Sequence, residues 1–304
     1  MAESRATRRV AVHEVVAVHR LGHGLWLSYL CYASWGAAFA GAALPGPALP
    51  AIGANLLLTT AGMAVNTVAD TGTDARHRHK FRQAGVARAV GRARIRRWAT
   101  AEAVAGLALA LAAAVWSGRW PVAMAGVLIL GLHLLYNLEP VRLKRRGFLG
   151  PAAFGCATMA LPVVLSFAAA GARFDPAMGL VVFGLGVLGT GRTALFSVTD
   201  RAADAATGFR TPAVRYGTGR ALALSCALSG AGVALLGIGL WWWHGALLAL
   251  AGMLGTGAFL GGTLALLRDP TAVRRMIRYA LTPAVLGNLL LLAAALAVPG
   301  GTGA

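Results

Sequence analysis

Asn66-Thr67-Val68-Ala69-Asp70-Thr71-Gly72-Thr73-Asp74 follows a long apolar run and leads into the most basic loop of the chain. Asn66, Asp70 and Asp74 are spaced i, i+4, i+8, which on a helix sets three oxygen-bearing side chains on one face. Carboxylates at the end of a membrane helix are costly unless something cationic meets them. Either a divalent metal or basic side chains must therefore lie close by.

The composition around this stretch settles the fold class. Of 304 residues, 58% are apolar and only 12% charged, about half the charge of a soluble domain. The apolar residues fall in blocks of roughly 20, the length that crosses a bilayer as helix. The chain is predicted to be an all-α polytopic membrane protein, with about nine transmembrane helices around a central cavity. A net charge of +18 could suggest nucleic acid. The basic residues, however, sit in short loops between apolar runs, as orientation signals and lipid-headgroup contacts do, so membrane lipids are the expected partner and nucleic acid is not. Cys31, Cys156 and Cys226 lie singly in apolar segments and read as small core residues.

Nine spans are expected at 22–43, 48–68, 99–117, 120–138, 149–170, 178–199, 220–240, 244–266 and 277–298. Trp116, Trp120 and Trp241 to Trp243 mark one interface. Alternate connections hold 25 of the 28 basic residues; the opposite side has only Arg119 and Arg173, and Arg192 lies within a span. The positive-inside rule then puts the N-terminus in the cytoplasm and the C-terminus outside. Residues 1–20 lack the apolar core of a signal peptide and form a cytoplasmic segment. Residues 21–298 form one transmembrane domain, and 299–304 an external tail. The loops 69–98 and 200–219 are long for a compact protein and each begins with an acidic motif, which favours function.

The second motif is Asp200-Arg201-Ala202-Ala203-Asp204, again an i, i+4 pair, on the same side as the first. The chain has only ten acidic residues, and four of them make these two pairs. Two carboxylate pairs across one cavity repel unless cations bind between them. The plain alternative is helix-end Asp residues paired with nearby Arg. Oxygen-only ligands suit hard Mg²⁺, which also binds substrate phosphates. A diphosphate held this way is a good leaving group. If it sits on an allylic carbon, the protein must stabilise charge and exclude water. A pocket apolar behind and acidic at its cytoplasmic mouth suits an isoprenoid diphosphate.

These residues carry a resemblance to the UbiA superfamily of intramembrane prenyltransferases. Asn66, Asp70 and Asp74 resemble its NxxxDxxxD motif, and Asp200 and Asp204 its DxxxD motif, the likeness continuing through Gly208, Thr211, Val214 and Gly217. Tyr136-Asn137-Leu138-Glu139-Pro140-Val141-Arg142-Leu143-Lys144 resembles its YSxPPxRLK segment. The resemblance implies that Asn66, Asp70, Asp74, Asp200 and Asp204 hold Mg²⁺, with the four aspartates catalytic. It also implies that Arg142, Lys144, Arg192 and Tyr136 bind the diphosphate. Arg192 could instead pair with Asp200. The chain departs from the family pattern at Thr67, Glu139 and Ser197, and its basic loop lacks an Arg-Pro pair.

The implied activity is Mg²⁺-dependent transfer of a prenyl group to an aromatic or lipid-like acceptor, with diphosphate released, in the plasma membrane of a bacterium. A cyclase sharing the same diphosphate residues is the alternative. A transporter is disfavoured, because its carboxylates belong near the midplane. His77 and His79 read as a phosphate-facing or solvated loop, and His133 and Asn288 as helix–helix contacts. Asp175 and Asp269 read as turns or caps, and Arg88 to Arg97 as a basic surface helix.

Overall fold

The computed structural model describes residues 11–22, 25–41, 46–76 and 80–297. His77 and His79 and the external tail lie outside them. The described chain is helical: α1 (Val12–Val18), α2 (Leu25–Phe39), α3 (Ala48–Arg76), α4 (Phe81–Val90), α5 (Arg92–Ser117), α6 (Trp120–Asn137), α7 (Leu149–Gly155), α8 (Leu161–Ala169), α9 (Pro176–Ala206), α10 (Pro212–Tyr216), α11 (Thr218–His244), α12 (Ala246–Ala265) and α13 (Val273–Ala297). A π turn over Cys156–Ala160 joins α7 to α8, making one apolar element.

Seven of these elements are long and apolar enough to cross a membrane. They are α3, α5, α6, α7–α8, α9, α11 and α12, and each coincides with an expected span. α2 and the apolar part of α13 (Leu281–Ala297) are shorter. Trp116, Trp120, Trp241 and Trp242 are exposed, as interface residues are.

Association in lipid depends on close packing rather than on the hydrophobic effect, so small residues line the contacts. A Cβ on Gly232 of α11 would lie 2.5 Å from the Leu188 backbone nitrogen of α9. α12 and α13 meet at Gly255 and Gly287, where a Cβ on either would fall within 2.5 Å of the other's backbone. Asp175 caps α9 by accepting from the Met178 amide at 2.8 Å, and Asp269 accepts from the Thr271 amide at 3.1 Å, as the sequence suggested.

Two expectations need correction. The stretches 69–98 and 200–219 are not open loops. α3 has 29 residues, roughly 44 Å at 1.5 Å per residue, well beyond a hydrocarbon core of about 30 Å. α9, with 31 residues, overshoots likewise. Apolar length measures the bilayer, whereas a helix runs on until a breaker stops it. Arg88 to Arg97 is not one helix either: Gly91, at φ +91°, divides α4 from α5.

α1 is tied beneath this end. Thr67 donates to the Val18 carbonyl at 2.8 Å, a structural task. His19 Nε2 lies 2.8 Å from Glu102 Oε1 of α5, and its Nδ1 lies 2.9 Å from the Val15 carbonyl. Burial works against a charged His19, but Glu102 and the Val15 carbonyl outweigh it and raise its pKa. The pair's stabilisation is therefore complete below the ordinary histidine value and is lost as pH rises through the raised one. Thermal midpoints measured between about pH 6 and pH 9 should fall in the wild type. The Glu102→Gln variant should show less of that slope, with a difference of no more than about 1 kcal/mol. Equal slopes would exclude this role.

Candidate active site

Because α3 and α9 continue past their apolar stretches, both acidic motifs lie on rigid helix rather than loop. Asp70 and Asp74 of α3, and Asp200 and Asp204 of α9, line one polar mouth of about 100 Å³, together with Lys80, Tyr136 and Lys144. Asp70, Tyr136 and Asp200 also border a larger, mainly apolar chamber of about 390 Å³ between α2, α3, α9 and α13, with Asn66 and Arg192 in its wall. Head and tail spaces are thus continuous.

Basic side chains meet the carboxylates, as the membrane-edge cost requires. Asp70 is bonded by Lys144 Nζ, with Arg142 Nη2 at 3.6 Å and Arg20 Nη2 at 3.8 Å. Arg20 Nη2 also donates to Asp74 Oδ2 at 3.0 Å, and Lys80 Nζ to Asp200 Oδ2 at 2.6 Å. Asp204 accepts from the Thr211 hydroxyl at 3.0 Å. Four acids and four bases thus share one site. The simple reading, aspartates paired with basic side chains, holds here for Asp70, Asp74 and Asp200.

The segment after α6 is built to deliver its cations. Arg142 sits at φ +36°, and its Nη2 donates to the Ala69 carbonyl of α3 at 3.0 Å. Lys144 is only 5% exposed. Burial pushes its ammonium down to about 8, against the opposing pull of the Asp70 charge and hydrogen bond. Phe209, just past α9, supports this group: Arg142, Arg145 and Lys144 lie 5.0, 4.8 and 5.9 Å from its ring centre. The Gly147 amide donates to the Arg210 carbonyl at 2.9 Å, and the Arg210 amide to the Arg145 carbonyl at 3.2 Å. The basic segment and the second acidic motif are therefore fixed to each other.

Asn66, Arg192 and His133 lie away from the mouth. Asn66 lines the chamber rather than the mouth, and its Nδ2 donates to Asn137 Oδ1 at 2.6 Å. Arg192 pairs with no aspartate. Its Nη1 donates to the Tyr32 hydroxyl at 3.3 Å, its guanidinium lies 4.9 Å from the Phe259 ring centre, and its Nε and Nη2 are buried without partners. His133 is a packed wedge against Gly62, with neither ring nitrogen hydrogen-bonded, whereas Asn288 does bond Ser28 and Tyr32. Sequence reading missed Arg20 and Lys80 as site residues. Arg20 is 54 residues from Asp74 and belongs to no motif. Lys80 has one weak signal, being the single lysine in an arginine-rich stretch.

The oxygen-only donor set suits a hard divalent cation. Among the described residues, no three acidic, histidine or cysteine side chains come close enough to hold a metal by themselves. Mg²⁺ needs only one or two carboxylates from the protein and completes its shell with water and substrate phosphate. The interleaved bases would take the remaining phosphate oxygens.

Comparison with known proteins places the chain in a family and a fold. The family model described as the UbiA prenyltransferase family matches residues 29–290. No curated protein matches the chain significantly. A UbiA homolog from Archaeoglobus fulgidus, solved bound to GPP and Mg²⁺, is 18% identical with a TM-score of 0.72, over 94% of this chain and 99% of that one. An apo UbiA homolog from Aeropyrum pernix K1 is 19% identical with a TM-score of 0.71, over 89% and 96%. A digeranylgeranylglyceryl phosphate synthase is 13% identical with a TM-score of 0.65, over 94% and 98%. At these identities the likeness is one of fold.

Proposed function

The chain belongs to the UbiA prenyltransferase family, and we propose that it is a Mg²⁺-dependent enzyme that transfers the prenyl group of a prenyl diphosphate to an aromatic or lipid-like acceptor. The observation that carries this reading is the single mouth where Asp70, Asp74, Asp200 and Asp204 alternate with Lys80 and Lys144 and open onto an apolar chamber. Mg²⁺ held by the aspartates would draw negative charge from the departing diphosphate. By the distribution of basic residues, this mouth opens to the cytoplasm, in what we take to be a bacterial plasma membrane.

The chain's own side chains account for the rest. Lys144, Arg142, Arg20 and Lys80 bind phosphate oxygens and compensate charge as the carbon–oxygen bond breaks, its electron pair leaving with the diphosphate. Tyr136 lines both mouth and chamber, where a bound diphosphate would meet its tail. The apolar walls exclude water, so the cation survives until the acceptor's nucleophile bonds to it and loses a proton. Arg192 favours transfer over cyclisation: a hydrocarbon tail alone cannot satisfy its buried donors, whereas an acceptor bearing an acidic oxygen can.

The test is incubation of purified protein with prenyl diphosphates of graded length, with and without phenolic acceptors, followed by mass analysis. A prenylated acceptor with an equivalent of diphosphate is expected. A cyclic hydrocarbon or alcohol formed without acceptor would assign the cyclase, and no diphosphate release under any condition would reject both.

A further inference from the structure

A second cavity lies on the opposite flank of α3, away from the catalytic chamber. It is a trough of about 720 Å³ between α3, α5 and α6, floored by small and apolar residues such as Ala64, Val68, Ala103 and Leu134. Arg92 and Arg96, at i and i+4, stand at its end toward the acidic motifs. Both are exposed, and among the described residues neither has an ion-pair or hydrogen-bond partner. α5 is the least enclosed of the long apolar helices, so this flank faces lipid. From Arg92 to Leu107 the trough follows α5 for roughly 22 Å.

We propose that this trough holds one acidic phospholipid, with an acyl chain along the small-residue floor and the phosphate between Arg92 and Arg96. Two features select such a ligand over bulk lipid. Small residues on α3 and α5 leave a depression that a chain fills, where larger side chains would close it. Two unpaired guanidiniums at interface depth attract an anionic headgroup, each contributing on the order of 1 kcal/mol, and they offer forked donors matched to phosphate. The wall of the trough is also the back of the active site. Val68 and Ala69 line it, the Ala69 carbonyl accepts from Arg142, and the next residue is Asp70. A lipid seated here would brace the part of α3 that carries the first acidic motif. The site is independent of the chemistry proposed for the mouth and stands whatever the enzyme's acceptor.

The test is native mass spectrometry of the detergent-purified protein after equilibration with equal amounts of phosphatidylglycerol and phosphatidylcholine. The wild type should retain one phosphatidylglycerol in preference to phosphatidylcholine. The double variant Arg92→Gln/Arg96→Gln should retain it about thirtyfold less. Ala103→Phe, which keeps both charges but fills the floor, should also lose it. Arg268→Gln/Arg275→Gln, which removes two exposed charges elsewhere, should behave as wild type. Equal retention of the two lipids by the wild type, undiminished retention in the Arg92/Arg96 variant or in Ala103→Phe, or an equal loss in the Arg268/Arg275 control would each overturn the proposal.

Discussion

Asp204→Asn is expected to reduce diphosphate release by about 10²- to 10³-fold, the usual loss when one preorganised electrostatic group is removed from a transition state, while leaving the fold intact. Asp70→Asn should lose at least as much activity, but it tests the site less cleanly. Asp70 is the counter-ion of buried Lys144 and lies near Arg142 and Arg20, and stripping one partner from a buried pair costs about 3–5 kcal/mol. Asp204 has the Thr211 hydroxyl as its partner, so its amide retains a hydrogen bond and strands no cation. The double variant Asp70→Asn/Lys144→Met separates the two effects: it should recover thermal stability relative to Asp70→Asn without recovering diphosphate release. Diphosphate release at wild-type rate in Asp204→Asn and in Asp70→Asn would remove these carboxylates from the reaction.

How far sequence led depended on the range of each signal. The apolar runs and the i, i+4 aspartate spacings are local, and they located the long helices and both halves of the acidic mouth. Lys144 and Arg142 also emerged, because a contiguous segment carries them. Arg20 and Lys80 did not, since what brings them to Asp74 and Asp200 is the packing of elements 54 and 120 residues apart. The helix overhangs escaped for a different reason. Hydropathy falls at the membrane edge, but α3 and α9 remain hydrogen-bonded beyond it, and only caps or glycines end them. Positive-φ Gly208 lies just past the end of α9, and positive-φ Gly91 ends α4; each could have been weighed as a breaker. His133 defied the rule that buried polar groups find partners. Its ring fills the space that Gly62 leaves open, a matter of shape that spacing does not encode.

Arg192→Gln is expected to divide the reaction into its two halves. The side chain is eight residues from Asp200 on α9, so it lies roughly 12 Å deeper along the helix, with its nearest polar company at Tyr32 and Asn288. Its Nε and Nη2 are buried without partners, and each such donor costs about 1–3 kcal/mol, more when charged. A prenyl tail offers neither a hydrogen bond. An unpaired guanidinium would also oppose an allylic cation moving into the same chamber, which counts against internal cyclisation. An acceptor with an acidic oxygen resolves both problems, because it neutralises Arg192 while its nucleophilic atom faces the mouth. Transfer to a phenolic acid should therefore fall about 10²-fold in Arg192→Gln, chiefly through KM for the acceptor. Transfer to the corresponding methyl ester should change little, and Arg192→Lys should restore part of the loss. Diphosphate release without acceptor should stay near the wild-type rate. Were that release to collapse in Arg192→Gln, the guanidinium would belong to the leaving group, and the chamber's polar wall would say nothing about what attacks.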